Sequence, residues 1–223
     1  MMKGHNSKFL YYTGVASILF VILAFGIVAL VQPVRLERYY KPYVIIHIIS
    51  TLGWLILFTW QSRLILKNKL NRHKQNVKIA HVLVIVATIV GIYITYLWGD
   101  PGRLIGESRD VLVFAGLYFA SIVLVNKGKT QAHKRLMLVA LVNLVSPAWS
   151  RVGSIFDWST PVVVLAMILT WIIIPLAYDI FTIRKIHRAT IAGILVTMIS
   201  FALMIAIVIS PWFDKIDAFL YPK

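Results

Sequence analysis

Seven long apolar runs alternate with short polar connectors along this chain, and most of the runs are about as long as a membrane crossing. A helix rising 1.5 Å per residue needs about 20 apolar residues to cross roughly 30 Å of hydrocarbon. The first run, Phe9 to Val31, exceeds the 7–15 residue apolar core of a signal peptide, so it reads as a span that is kept. Gln32-Pro33 ends it, and the connector that follows carries Tyr39 and Tyr40 as interfacial aromatics. Further spans are expected at Tyr43–Leu66, Lys78–Trp98, Asp110–Val125 (a short one), Lys134–Val152, Pro161–Phe181 and Ala189–Ser210. GDPGRLIGES reads as a loop, and Pro147 is expected to kink the fifth span. The fold class is therefore all-α: one polytopic membrane domain over residues 1–223, with seven transmembrane helices and no soluble domain. Continuous rather than alternating apolar runs exclude a β-barrel.

Composition agrees. Sixty per cent of the residues are hydrophobic and 14% are charged, where a soluble domain carries about 25%. With no cysteine, disulfides, thiolate metal sites and iron–sulfur clusters are excluded. The net charge of +15 is distributed unevenly. If the amino terminus is cytoplasmic, that side holds 15 of the 23 basic residues and, of the acids, Asp179 alone. The Lys/Arg bias places the amino terminus inside and the carboxyl terminus outside. It also makes anionic lipid headgroups the expected partners of the inner face, with no nucleic acid implied.

Polar residues within the spans are the candidates for function, since each costs roughly 2.5–3.5 kcal/mol at mid-bilayer if ionised and unpaired. Toward the outer face lie His47, Arg109, Asp110, Asn143 and Arg151, of which His47, Asp110 and Arg151 are expected to line a cavity open outward. Toward the inner face lie Gln61, His81 and Asp179, a candidate cofactor-binding set. Asp179 could equally form a structural ion pair with Arg184. His47 could simply bond a neighbouring backbone carbonyl. A basic connector followed by His-Lys or His-Arg recurs three times, at His73, His133 and His187. If these imidazoles converge, they suit a metal such as zinc or iron, with an open fourth position for a catalytic water. If they do not, each is a separate phosphate clamp.

Stacked haems would need two histidines per leaflet, and the outer leaflet has His47 alone, so haem fits less well than zinc or iron. The sequence contains no GxxxxGK[ST], HExxH, CxxC or GxSxG pattern. No lysine lies deep in the seventh span to carry a retinal Schiff base.

His47…Trp54…Gln61…Leu64, His73-Lys74, the HKRLM segment His133–Met137, and Asp179 with His187 resemble a family of uncharacterised bacterial multi-span inner-membrane proteins. The resemblance implies the same fold and a place in the bacterial inner membrane. A looser similarity, through histidines at span ends, is to b-type cytochromes of the membrane ascorbate-reductase kind. The chain departs from these because its fourth span has no histidine. Two classes of function follow. One is a His-based metal or haem protein of redox or lipid chemistry. The other is a non-enzymatic transporter or binding protein for a lipid headgroup, quinone or proton.

Overall fold

A computed structural model describes residues 3–32, 37, 40–98 and 101–220, without the side chains of 3–6 and 103. Pro33, Tyr39, Gly99 and Asp100, which bear on the expected connectors, lie outside the described residues. The helices are α1 (Lys3–Val31), α2 (Pro42–Leu66), α3 (Leu70–Gln75), α4 (Val77–Leu97), α5 (Pro101–Asn126), α6 (Thr130–Leu144), α7 (Pro147–Ile155), α8 (Thr160–Ile183), α9 (Arg188–Val208) and α10 (Phe213–Leu220). Seven stretches are long and apolar enough to cross a membrane; α3 with α4 forms the third, and α6 with α7 the fifth. Helices suit this solvent because each backbone donor finds its acceptor within the same segment. Proline opens α2, α7 and α8 (Pro42, Pro147, Pro161), where its missing N–H has no intrahelical acceptor to lose.

The fourth span is longer than the sequence suggests. The glycines and proline read as a loop belong to α5 from Pro101 onward, so the apolar crossing runs Leu104–Asn126. Proline at a first helical position favours the helix, and Gly102 and Gly106 cost too little to break it. The short α3 and the terminal α10 are likewise helices where connector and tail were expected. Pro147 lies at the break between α6 and α7, in line with the expected kink.

Six spans form a ring around the fifth. Contacts run from α1 to α2, α2 to α4, α4 to α5, α5 to α9, α9 to α8, and α8 back to α1. The fifth span occupies the middle, touching α1, α5, α8 and α9. It is the least apolar of the seven, yet 67% of its central window is buried, against 33% or less for every other span. The inversion has a physical reason: a helix turned away from lipid can carry Arg135, Asn143 and Ser146, each buried. Large apolar side chains such as Leu19, Ile89, Ile173 and Leu203 point outward instead.

Two connectors on the amino-terminal face prove to be the same turn. Asn68 (φ 54°) and Gly128 (φ 74°) both take the left-handed conformation that ends a helix. In each, the next residue's N–H reaches back six places inclusive, Lys69 to Leu64 and Lys129 to Leu124, while Asn68 and Gly128 themselves bond Ile65 and Val125. This double bond pattern satisfies two orphan carbonyls at the helix end. The correspondence holds at a constant offset of 60 (Lys67 with Lys127, Lys69 with Lys129, His73 with His133, Lys74 with Lys134). It extends into the core, where Trp54 packs edge-on against its counterpart Phe114 at 4.8 Å. The third connector turns differently, through Arg184 (φ 55°).

Candidate functional site

The polar groups of the bundle fall into two layers. The first lies near the amino-terminal face. Arg135, in the first turns of α6, donates from Nε to Asp179 Oδ1 at 2.6 Å, and both side chains are essentially buried. Its Nη1 donates to the carbonyl and side-chain oxygens of Gln131, and its guanidinium lies over the Tyr178 ring at 5.3 Å. Asp179 Oδ2 accepts the backbone N–H of His187 at 2.7 Å. His187 then caps α9, its Nδ1 accepting from the Ala189 N–H. Burial, then the nearby Arg135 cation, hold the His187 pKa below its ordinary value while Asp179 opposes them. That direction suits an imidazole whose lone pair is already in use. The partner of Asp179 is thus Arg135 rather than Arg184, because α8 turns away at the left-handed Arg184 while α6 presents Arg135 at the same depth.

The three entrance histidines do not gather. His73 and His133 stand at equivalent positions after the two matching turns, and the His133 ring pairs with the Ser121 carbonyl at 3.1 Å. His187 is committed to its cap beside Asp179. Among the described residues, no three His, Asp or Glu side chains form a group able to hold a metal ion. Gln61, His81 and Asp179 each have a separate partner. Gln61 donates to the His73 carbonyl at 3.1 Å, and His81 Nδ1 pairs with the Tyr118 hydroxyl at 2.8 Å.

The second layer lies toward the opposite face and contains the cavities. Arg109, on α5, donates to Asp110, to the Thr197 carbonyl and, at 3.0 Å, to Ser200 Oγ. Trp171 lies beneath its guanidinium at 4.7 Å. Asn143 donates from Nδ2 to the Val139 carbonyl and to Thr197 Oγ1, which leaves its buried Oδ1 without a partner. His47 Nδ1 lies 3.1 Å from the Ala87 carbonyl. A carbonyl can only accept, so the proton is on Nδ1 and the neutral ring keeps its lone pair at Nε2. Gly91 makes this fit: a Cβ there would stand 3.0 Å from His47 Cε1.

These residues border two cavities. One, of about 380 Å³, lies among α1, α2, α5 and the central span. Its walls are apolar (Val21, Phe25, Ile48, Leu52, Leu144), and its polar groups are His47, Thr51, Asp110 and Asn143, with the exposed Tyr40 at the rim. The other, of about 710 Å³, lies among α5, α7, α8 and α9 and carries Glu107, Asp110, Ser150 and Arg151. Asp110 and Pro147 belong to both. The structure therefore places His47 and Arg151 in adjoining cavities that share Asp110, rather than in one.

No family model, curated protein or solved structure matches this chain. The site must be read from its own chemistry. Sequence reasoning placed Arg109 among the outer polar residues but did not connect it with Trp171 and Thr197. The signal for Arg109 was present: a guanidinium so close to an apolar run needs several acceptors, which the hydroxyl-bearing stretch Thr197–Ser200 of the neighbouring span supplies.

Proposed function

We propose that this protein is a membrane-embedded binding protein for a small amphipathic molecule, held in the cavity between α1, α2, α5 and the central span. The observation that carries this is the cavity itself: apolar walls around a few converging polar groups, one of them a fully buried amide oxygen with no partner. Sites for small ligands have this composition and a volume of roughly 300–1,000 Å³. A fixed polar patch in an apolar chamber orients one end of a ligand and accepts the rest by shape. Transport is the natural extension, since Asp110 and Pro147 line both this cavity and the larger one.

Gly26 supplies the test. It lines the cavity at an exposed position, and a Cβ there meets nothing within 4 Å, so Gly26→Phe sets a bulky ring at the cavity edge without displacing backbone. We expect an amphiphile beyond the bulk lipid to copurify with the wild-type protein and to be lost from Gly26→Phe, detected by mass spectrometry of extracts. The variant's stability should change by less than about 1 kcal/mol, since it occupies open space. Equal recovery from both proteins would remove the proposal.

The metal or haem redox reading rests on the recurrence of His73, His133 and His187 at three helix entrances. It stands second because His187 is engaged elsewhere, and metal analysis of the purified protein tests it. The basic asymmetry and the family resemblance support a place in a bacterial inner membrane with the amino terminus cytoplasmic. On that face Lys67, Lys69, Lys127 and Lys129 would meet anionic headgroups, each worth roughly 1 kcal/mol.

A further inference from the structure

We infer that the ligand of the smaller cavity is recognised through a hydroxyl hydrogen that it donates, so that the site selects hydroxyl-bearing amphiphiles over acceptor-only ones of the same shape. The inference rests on the binding proposal above. It comes from the hydrogen-bonding state that the fold imposes on each polar group in the cavity wall. Asn143 spends its amide hydrogens on the Val139 carbonyl and Thr197 Oγ1, which settles the orientation of the amide. What remains is Oδ1, an acceptor only, buried and unpartnered. His47 spends its Nδ1 hydrogen on the Ala87 carbonyl, so its remaining nitrogen is an acceptor in the neutral ring. Asp110, paired to Arg109, is a carboxylate and accepts. Thr51, one helical turn beyond His47, has a hydroxyl oxygen that is buried and unpartnered, and it can play either part.

Three of the five polar groups can therefore only accept, Thr51 and the Tyr40 hydroxyl at the rim can play either part, and no lysine, tryptophan or arginine lines the cavity to donate. An ether, ester or quinone oxygen placed among them would face lone pairs. A phenol, quinol or long-chain alcohol would place its O–H where an orphaned acceptor waits. A protonated amine fits less well, because Arg109 already neutralises the one formal charge in the wall. Aromatic and aliphatic alcohols share the decisive chemistry, and the experiment separates them.

The probes are para-pentylphenol, its methyl ether, and hexan-1-ol, each titrated against the full chain in detergent. Binding is read from thermal stabilisation, with Gly26→Phe as the control for partitioning into the micelle. We expect the phenol to bind roughly three- to tenfold more tightly than its ether, the difference one net hydrogen bond makes. Asn143→Leu should narrow that ratio; if this variant does not fold, the wild-type ratio decides alone. Hexan-1-ol matching the phenol supports the same donor rule with an aliphatic source, and hexan-1-ol failing supports it with an aromatic one. Phenol and ether binding equally, with both lost in Gly26→Phe, overturns the donor inference and leaves the cavity reading standing. If no probe stabilises the wild-type protein more than Gly26→Phe, both fall.

Discussion

Replacing Arg135 with leucine is expected to destabilise the protein by about 3–5 kcal/mol, a large fraction of the 5–15 kcal/mol that holds most proteins folded. The cost comes mainly from Asp179, which would remain a buried carboxylate with its Arg135 hydrogen bond gone and only the His187 N–H in place. Asp179→Leu should cost a similar amount by leaving the guanidinium unpaired over Tyr178. The double variant should be less damaged than the two losses added together, because no uncompensated charge remains. Thermal unfolding in detergent of the two single variants and the double variant measures this directly. Strict additivity would mean the ion pair contributes nothing as a pair. Cap loss should accompany the Asp179 changes, since the same carboxylate holds the His187 backbone at the start of α9.

The second large effect is expected at Arg109, and here lysine should not rescue. The guanidinium makes three bonds in different directions, to Asp110, Ser200 Oγ and the Thr197 carbonyl, while lying on Trp171. An ammonium is a compact point charge and cannot reproduce a planar fork stacked on a ring. We expect Arg109→Leu to lose about 3–5 kcal/mol and Arg109→Lys to lose at least about 2 kcal/mol. Arg109→Leu with Asp110→Asn should recover part of the loss. A lysine variant as stable as the wild type would show that charge alone, not geometry, holds α5 to α9.

Much of this architecture can be read from the sequence because the membrane writes it there. Apolar length fixes the seven spans, and the exceptions are local. Gly102 and Gly106 look like loop residues only to a rule learned in water, where a flexible residue in a helix has more competition. The site was less legible. Asp179 and Arg135 could have been paired on depth alone, but Arg135 follows the basic connector His133-Lys134 and was counted as topology rather than as a buried partner. The expected convergence of His73, His133 and His187 rested on three similar strings. Two of those strings fold into the same turn, but the third, having its left-handed residue three rather than five places before the histidine, does not. The central position of the fifth span has no signature in any single stretch. It appears only when the spans are ranked, as the least apolar run that must be hidden deepest.

The constant offset between the two matching turns sets equivalent positions in register. α2–α4 and the α5-to-central-span pair are two helical hairpins closed by the same turn, one after the other along the chain. They share Lys69 and Lys129, His73 and His133 around the turn and differ in the half toward the opposite face. His47 of the first hairpin corresponds to Glu107 of the second, and each lines a different cavity. Two hairpins of one shape thus furnish two chambers of different chemistry, an imidazole at this position in one and a carboxylate in the other.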